Sequence, residues 1–251
     1  MRALAGLPGS RGFESDWGVG LHTPANSSAM NFVFSYADAT FDTGDLIAQA
    51  QAFFDCHNPA TAYSWWPAVH SQTLELQTAL LAAGFQTGYS AAWMAADVSI
   101  VPDSWVAWPQ GCSLQTSRGP NPPDAEAWAE AYLCGYDHPE TIRDGVRLFV
   151  ADLFACEDPG LHLFAVASER QTIATGLLYC FEETAGLYSI TVHPEWRGKG
   201  LGTRLTQSLL QFARQAGCKT AILQSSLAGQ SVYLRLGFTQ TGAAPFYYRE
   251  P

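Results

Sequence analysis

Val192-His193-Pro194-Glu195-Trp196-Arg197-Gly198-Lys199-Gly200-Leu201-Gly202 is the stretch on which the fold of this chain turns. An apolar run ending at Val192 reads as a strand. After the glycines, Leu201, Leu205, Leu209 and Phe212 recur at helical spacing until Gly217, a C-terminal stop. Lacking Cβ atoms, Gly198, Gly200 and Gly202 let backbone N–H groups gather around an anion, and a helix starting near Leu201 directs the positive end of its dipole to the same point. A pyrophosphate suits such a turn, with Arg197 and Lys199 as cationic donors. A dinucleotide fold would want G-x-G-x-x-G with an acid about 20 residues on, and a P-loop would want Gly-Lys followed by Ser or Thr; neither pattern is present.

Outward from this stretch the elements alternate. Leu161 to Ser168, Thr172 to Phe181 and Gly186 to Val192 read as strands of an antiparallel meander, separated by the turns Asp158-Pro159-Gly160 and Glu182 to Ala185. Downstream come a strand from Thr220 to Gln224, a short helix from Gly229 to Leu236, and strands Phe238 to Thr241 and Phe246 to Arg249. Upstream, Asp124 caps a helix to about Cys134, and Pro139 with Glu140 opens another that runs to Ala155. The class is mixed α/β (α+β), with a mostly antiparallel sheet flanked by helices.

These residues resemble the GNAT superfamily of acetyl-CoA-dependent N-acetyltransferases, whose signature Q/R-x-x-G-x-G/A is matched by Arg197, Gly200 and Gly202. Leu187 to Pro194 looks like the family's fourth strand, and Val232-Tyr233-Leu234-Arg235-Leu236-Gly237-Phe238 looks like its final helix with a Y-x-x-x-G-F ending. The resemblance implies an acyltransferase that uses acetyl-CoA as co-substrate and no metal. By it, main-chain groups of Ile190, Thr191 and Val192 bind the pantetheine arm, and Arg197, Gly198, Lys199, Gly200, Leu201, Gly202 and Thr203 hold the pyrophosphate. Tyr233 would protonate the departing thiolate, while a backbone N–H of the fourth strand stabilises the oxyanion and a primary amine attacks directly. The family often carries Asn seven residues before this tyrosine; here the sequence departs from the pattern, and Ser226 stands at the position of that coenzyme contact. Glu182 and Glu183 are the candidate general bases by order along the chain. Tyr136 and His138 fall in the loop where the family shapes its acceptor pocket.

Residues 1–29, rich in Gly and Pro without clear periodicity, read as a flexible extension. Residues 30–100 read as a smaller α/β module, either an unrelated extension or one resembling a degenerate copy of the same fold, because Leu80-Leu81-Ala82-Ala83-Gly84-Phe85 echoes the segment ending at Phe238 but no phosphate loop precedes it. The catalytic domain then covers 111–251, with the boundary near Ile100 to Gln110.

Twenty-three acidic against 13 basic side chains give a net charge of -10, a field that disfavours nucleic acid and anionic membrane partners. The six cysteines form no C-x-x-C pair, which argues against a zinc site and a disulfide framework. With neither a signal-peptide pattern nor a membrane-length apolar run, the expected location is cytoplasmic. The expected partner is a small-molecule or peptide amine, with homodimerisation left open. The rival reading from another class is a non-catalytic CoA-binding regulatory or sensing protein.

Overall fold

The computed structural model describes residues 6–36, 40–58, 60–101, 107–169 and 171–250; the first five residues of the expected extension and residues 102–106 of the boundary segment lie outside these. The chain divides into two compact units. One comprises Met1–Ala91, Asp144–Leu153 and Gly242–Pro251, and the other Ala92–Arg143 and Phe154–Thr241.

In the first unit, β1 (Arg11–Glu14) and β2 (Gly18–His22) form a hairpin, β2 pairs antiparallel with β3 (Phe32–Ser35), and β3 runs parallel to β4 (Tyr63–Pro67). Residues 11–14 and 18–22 are therefore strands where a flexible extension is expected. Gly20, which reads as loop punctuation, is a packing residue: a Cβ there would lie 2.1 Å from Phe13 Cε1. Its strand is tied into the core by Trp17, which stacks on Trp65 at 5.7 Å, and by Leu21, which is 0% exposed. Helices α1 (Thr43–Asp55) and α2 (Leu74–Ala82) are each capped by a side chain: Asp42 accepts from Asp45 N at 2.9 Å and Thr73 from Leu76 N at 3.0 Å. Leu46, Ile47, Ala50 and Phe54 of α1 and Leu76 and Leu80 of α2 close over Val33, Tyr63 and Trp65.

The second unit contains residues 92–97 of β5 (Gln86–Asp97), β6 (Ser113–Thr116), α3 (Ala125–Tyr136), β7 (Leu161–Ala167), β8 (Thr172–Phe181), β9 (Thr184–Val192), α5 (Leu201–Gln215), β10 (Thr220–Ser225) and α6 (Leu227–Arg235). Helix α4 (Arg143–Ala155), which starts after a 3-10 turn at Glu140–Ile142, places its residues 144–153 in the first unit: Gly145 lies against Pro24 and Ala25, where a Cβ would come within 2.5 Å of Ala25 Cα. The last strand, β11 (Thr239–Arg249), is continuous where two strands, Phe238 to Thr241 and Phe246 to Arg249, are expected, and its end pairs with β4 from Tyr247↔Trp65 to Arg249↔Tyr63. Strand order in the second unit is β5-β10-β9-β8-β7-β6, antiparallel throughout except for the β9–β10 pair. The meander β7–β8–β9 is as expected.

Helix α5 turns Leu201, Leu205, Leu209, Leu210 and Ala213 onto this sheet, all buried. Leu205 and Leu209 lie over Gly176 of β8, where a Cβ would meet Leu209 Cδ2 at 3.3 Å. On α3, Trp128 is buried and its Nε1 donates to Phe164 O at 2.8 Å, fixing that helix to β7. Leu209→Ala should cost about 2–5 kcal/mol, since the transfer term and the residual cavity add at a fully buried site. A urea titration checks it: the midpoint falls while the slope holds.

Candidate active site

Strands β9 and β10 begin side by side and then part. Their pairing covers only Thr220↔Thr184, Ala221↔Ala185 and Ile222↔Gly186, whereas β10 stays paired with β5 as far as Ser225↔Ala92. From Leu187 to Val192 one edge of β9 is therefore without a strand partner among the described residues. In the same stretch β9 bulges. Thr175 faces Thr191 and Leu177 faces Tyr188, so Ser189 and Ile190 together oppose Gly176, and Ser189 adopts φ +52°. A bulge of this kind bends the strand and re-aims its peptide groups.

Beyond Val192, a 3-10 turn at Pro194–Trp196 leads to the glycine segment and α5. Gly198 and Gly200 have φ +74° and +76°, a region in which only glycine is relaxed. Gly200 is the N-cap of α5 and supplies no side-chain cap. Arg204 N bonds Gly200 O at 3.1 Å, so the amides of Leu201, Gly202 and Thr203 precede the intrahelical ladder and stand as donors at the helix start. Gly198, Lys199 and Gly200 are exposed, and nothing lies within 4 Å of a Cβ built at Gly198.

The two cations expected beside the anion are engaged differently. Arg197 donates from Nε to Val192 O at 3.2 Å and from Nη2 to Gly135 O at 2.7 Å, tying the end of β9 to the last turn of α3. Lys199 places its Nζ 4.5 Å from the centroid of Trp196.

Tyr233, on α6, packs its ring against Phe238 at 5.8 Å and against Gly229, where a Cβ would meet Cε2 at 3.0 Å. Burial pushes its phenol up to about 12. Ser226 is the N-cap of α6, its Oγ accepting from Gly229 N at 3.3 Å. Since α6 begins where β10 ends, it starts from the diverging end of the β9–β10 pair, and it touches α5. The bulge, the glycine segment and α6 are thus brought together at one end of the sheet.

Glu182 and Glu183 are not. They form the β8–β9 turn at the start of β9, where Glu183 pairs with Lys219 at 2.5 Å and its carbonyl accepts from Lys219 N and Thr220 N. At ~3.3 Å per residue this turn lies roughly 20 Å from Ser189 along the strand. Tyr136, by contrast, stands at the bulge, with His138 beside it. Tyr136 OH donates to Ile190 O at 3.2 Å, and the His138 ring sits 5.3 Å from Tyr132 and 5.7 Å from Tyr136. His138 Nε2 is buried without a hydrogen-bond partner among the described residues; burial lowers its pKa, against the raising effect of Asp137. Thr175 and Gly135 were not singled out from sequence. Their signals are a hydroxyl in the middle of an apolar strand run and a glycine inside a helical one.

Among the described residues no set of three or more His, Cys, Asp or Glu side chains is arranged to hold a metal ion, and no helix is long and apolar enough to cross a membrane.

A model described as "Acetyltransferase (GNAT) family" matches residues 125–238. A probable glucosamine 6-phosphate N-acetyltransferase 2 of Oryza sativa subsp. japonica is 32% identical over 149 residues, 55% of this chain and 89% of that protein. Among solved structures, a GCN5-related N-acetyltransferase from Kribbella flavida aligns with TM-score 0.65 at 17% identity, covering 100% of this chain and 92% of that one. A tandem GNAT protein from the clavulanic acid biosynthesis pathway aligns with TM-score 0.59 at 16% identity, covering 97% and 84%. Fold and likeness together define an acyltransferase. More narrowly, the chain belongs to the GNAT family and is an acetyltransferase.

Proposed function

We propose that this protein moves an acetyl group from acetyl-CoA to a primary amine, with the coenzyme lying in the gap where β9 leaves β10. The observation that carries this reading is the adjacency of an unpaired, bulged strand edge to a helix start whose amides are uncapped. The amides from Gly198 to Thr203 would hold the pyrophosphate, and main-chain groups of Ile190, Thr191 and Val192 would accompany the pantetheine arm. Val192 O and Ile190 O already accept from Arg197 and Tyr136, but a carbonyl oxygen has a second lone pair. Acetyl-CoA supplies an activated acyl carbon and a thiolate leaving group; the chain supplies an amide donor at the bulge for the developing oxyanion and the Tyr233 proton for sulfur. The rice relative is named for a glucosamine 6-phosphate acceptor, and a sugar amine belongs in the acceptor panel beside polyamines, amino acids and peptide N-termini.

Thiol release from acetyl-CoA, followed with and without each amine, tests the reading. Amine-dependent release is expected with at least one acceptor class. Coenzyme binding without release for any amine would leave the sensing role instead.

The first unit reads as a second module that lost its anion site. Its order β3-α1-β4-α2-β5 repeats β9-α5-β10-α6-β11, with the first two strands parallel in both. Phe85 N bonds Leu80 O at 3.0 Å after Gly84 at φ +88°, as Phe238 N bonds Tyr233 O at 3.1 Å after Gly237 at φ +87°. Leu80 thus stands where the second module has Tyr233. Helix α1 opens on Asp42 and Asp45, whose charge opposes an anion. The tandem GNAT neighbour supports the same reading.

A further inference from the structure

We infer that Thr175 and Tyr136 are positioning residues for the acyl transfer proposed above, their hydroxyls fixing the direction in which the β9 bulge presents its amides. The inference rests on that reading of the gap.

Two successive carbonyls in the bulge are each held by a side-chain hydroxyl from a different element. Thr175 Oγ1 of β8 donates to Ser189 O at 3.0 Å, and Tyr136 OH of α3 donates to Ile190 O at 3.2 Å. A carbonyl belongs to the same rigid peptide plane as the following N–H, so fixing Ser189 O aims the amide of Ile190, and fixing Ile190 O aims that of Thr191. Ser189 is a non-glycine residue at φ +52°, a conformation that persists where its surroundings over-determine it. The hydroxyls supply that constraint from two separate elements, β8 and α3.

The surrounding packing brings the second hydroxyl into reach. Tyr136 ends α3, and the residue before it is Gly135, where a Cβ would lie 2.1 Å from Thr191 Oγ1 and 2.7 Å from its Cγ2. Any larger residue would lift the helix end away from β9 and withdraw the phenol. Arg197, from the far end of β9, secures the same turn by donating to Gly135 O. Thr175 is fully buried within the sheet, so its hydroxyl has a bonded purpose at the bulge rather than a solvation one.

The pyrophosphate grip from Gly198 to Thr203 is not touched by these hydroxyls, so their loss should fall mainly on turnover and only slightly on the pantetheine contacts of Ile190 to Val192. Thr175→Val and Tyr136→Phe should each lower kcat about tenfold, with the acetyl-CoA Kd within about threefold of the parent by calorimetry. Thr175→Ser, which keeps the hydroxyl, should recover kcat to within about threefold of the parent. Packing residues without an orienting role would give a different result: kcat unchanged in both variants, equal losses in kcat and affinity, or a serine variant as impaired as the valine one. Any of these overturns the inference. Tyr136 is exposed, so its phenylalanine variant decides the matter even if the valine substitution in the sheet fails to fold. Absence of amine-dependent thiol release from the unmodified protein would overturn the acyl-transfer reading itself, an outcome distinct from the three above.

Discussion

Tyr233→Phe is expected to lower kcat by roughly 10²- to 10³-fold while leaving the Kd for acetyl-CoA unchanged. The substitution keeps the ring that packs on Phe238 and Gly229 and removes only the hydroxyl, which makes no hydrogen bond among the described residues. Folding should therefore be untouched, and the loss should be confined to the step in which sulfur departs. Burial holds the phenol up at about 12, above its ordinary 10. A pKa raised on folding means that the proton is retained below the ordinary value and lost only as pH climbs through the raised one. Through pH 6 to 9 the group is consequently a proton donor, and the parent's kcat should show no basic limb from it in that window. Stopped-flow measurement of acyl transfer against pH, with calorimetry on both proteins, checks the two halves. A phenylalanine variant that turns over like its parent would remove Tyr233 from the chemistry.

What could be read without coordinates follows from where each signal is stored. The glycine segment was legible because the requirement is local: residues 198 and 200 need positive φ, and the amphipathic run from Leu201 is set by its own spacing. Strand β8 was found at its full length since continuous apolar residues between turn signals leave few alternatives. The bulge was not legible, because Ser189 and Ile190 look like ordinary strand residues until β8 sets the register opposite them. Nor were the partners of Arg197, whose carbonyl acceptor at Gly135 is 62 residues away in the chain. The placement of Glu182 and Glu183 fails for a related reason: order along the chain puts them beside β9, but strand direction sends the bulge and the turn to opposite ends. For β1 and β2 the difficulty was glycine itself, which signals a turn by default and here makes room for the Phe13 ring.

The same distinction between local conformation and long-range packing sets the expectation for the glycine segment. Gly200→Val should weaken acetyl-CoA binding by about 10- to 100-fold and cost roughly 1–3 kcal/mol of stability, because a β-branched residue is forced into a left-handed conformation at the start of α5. A Cβ there would also lie 2.6 Å from Nη1 of Arg204, whose guanidinium donates to Lys199 O and Ala107 O; relieving the clash displaces contacts on both flanks of the turn. Gly202→Ala provides the contrast. That residue lies within the helix, and its new methyl would meet only Val192 Cγ2 at 3.7 Å, an ordinary contact, so affinity should stay within about threefold of the parent. Titration calorimetry of both variants with acetyl-CoA, with urea unfolding beside it, separates a backbone requirement at Gly200 from mere crowding of the site. If the valine variant bound as tightly as its parent, the amides at the start of α5 would not be what grips the pyrophosphate.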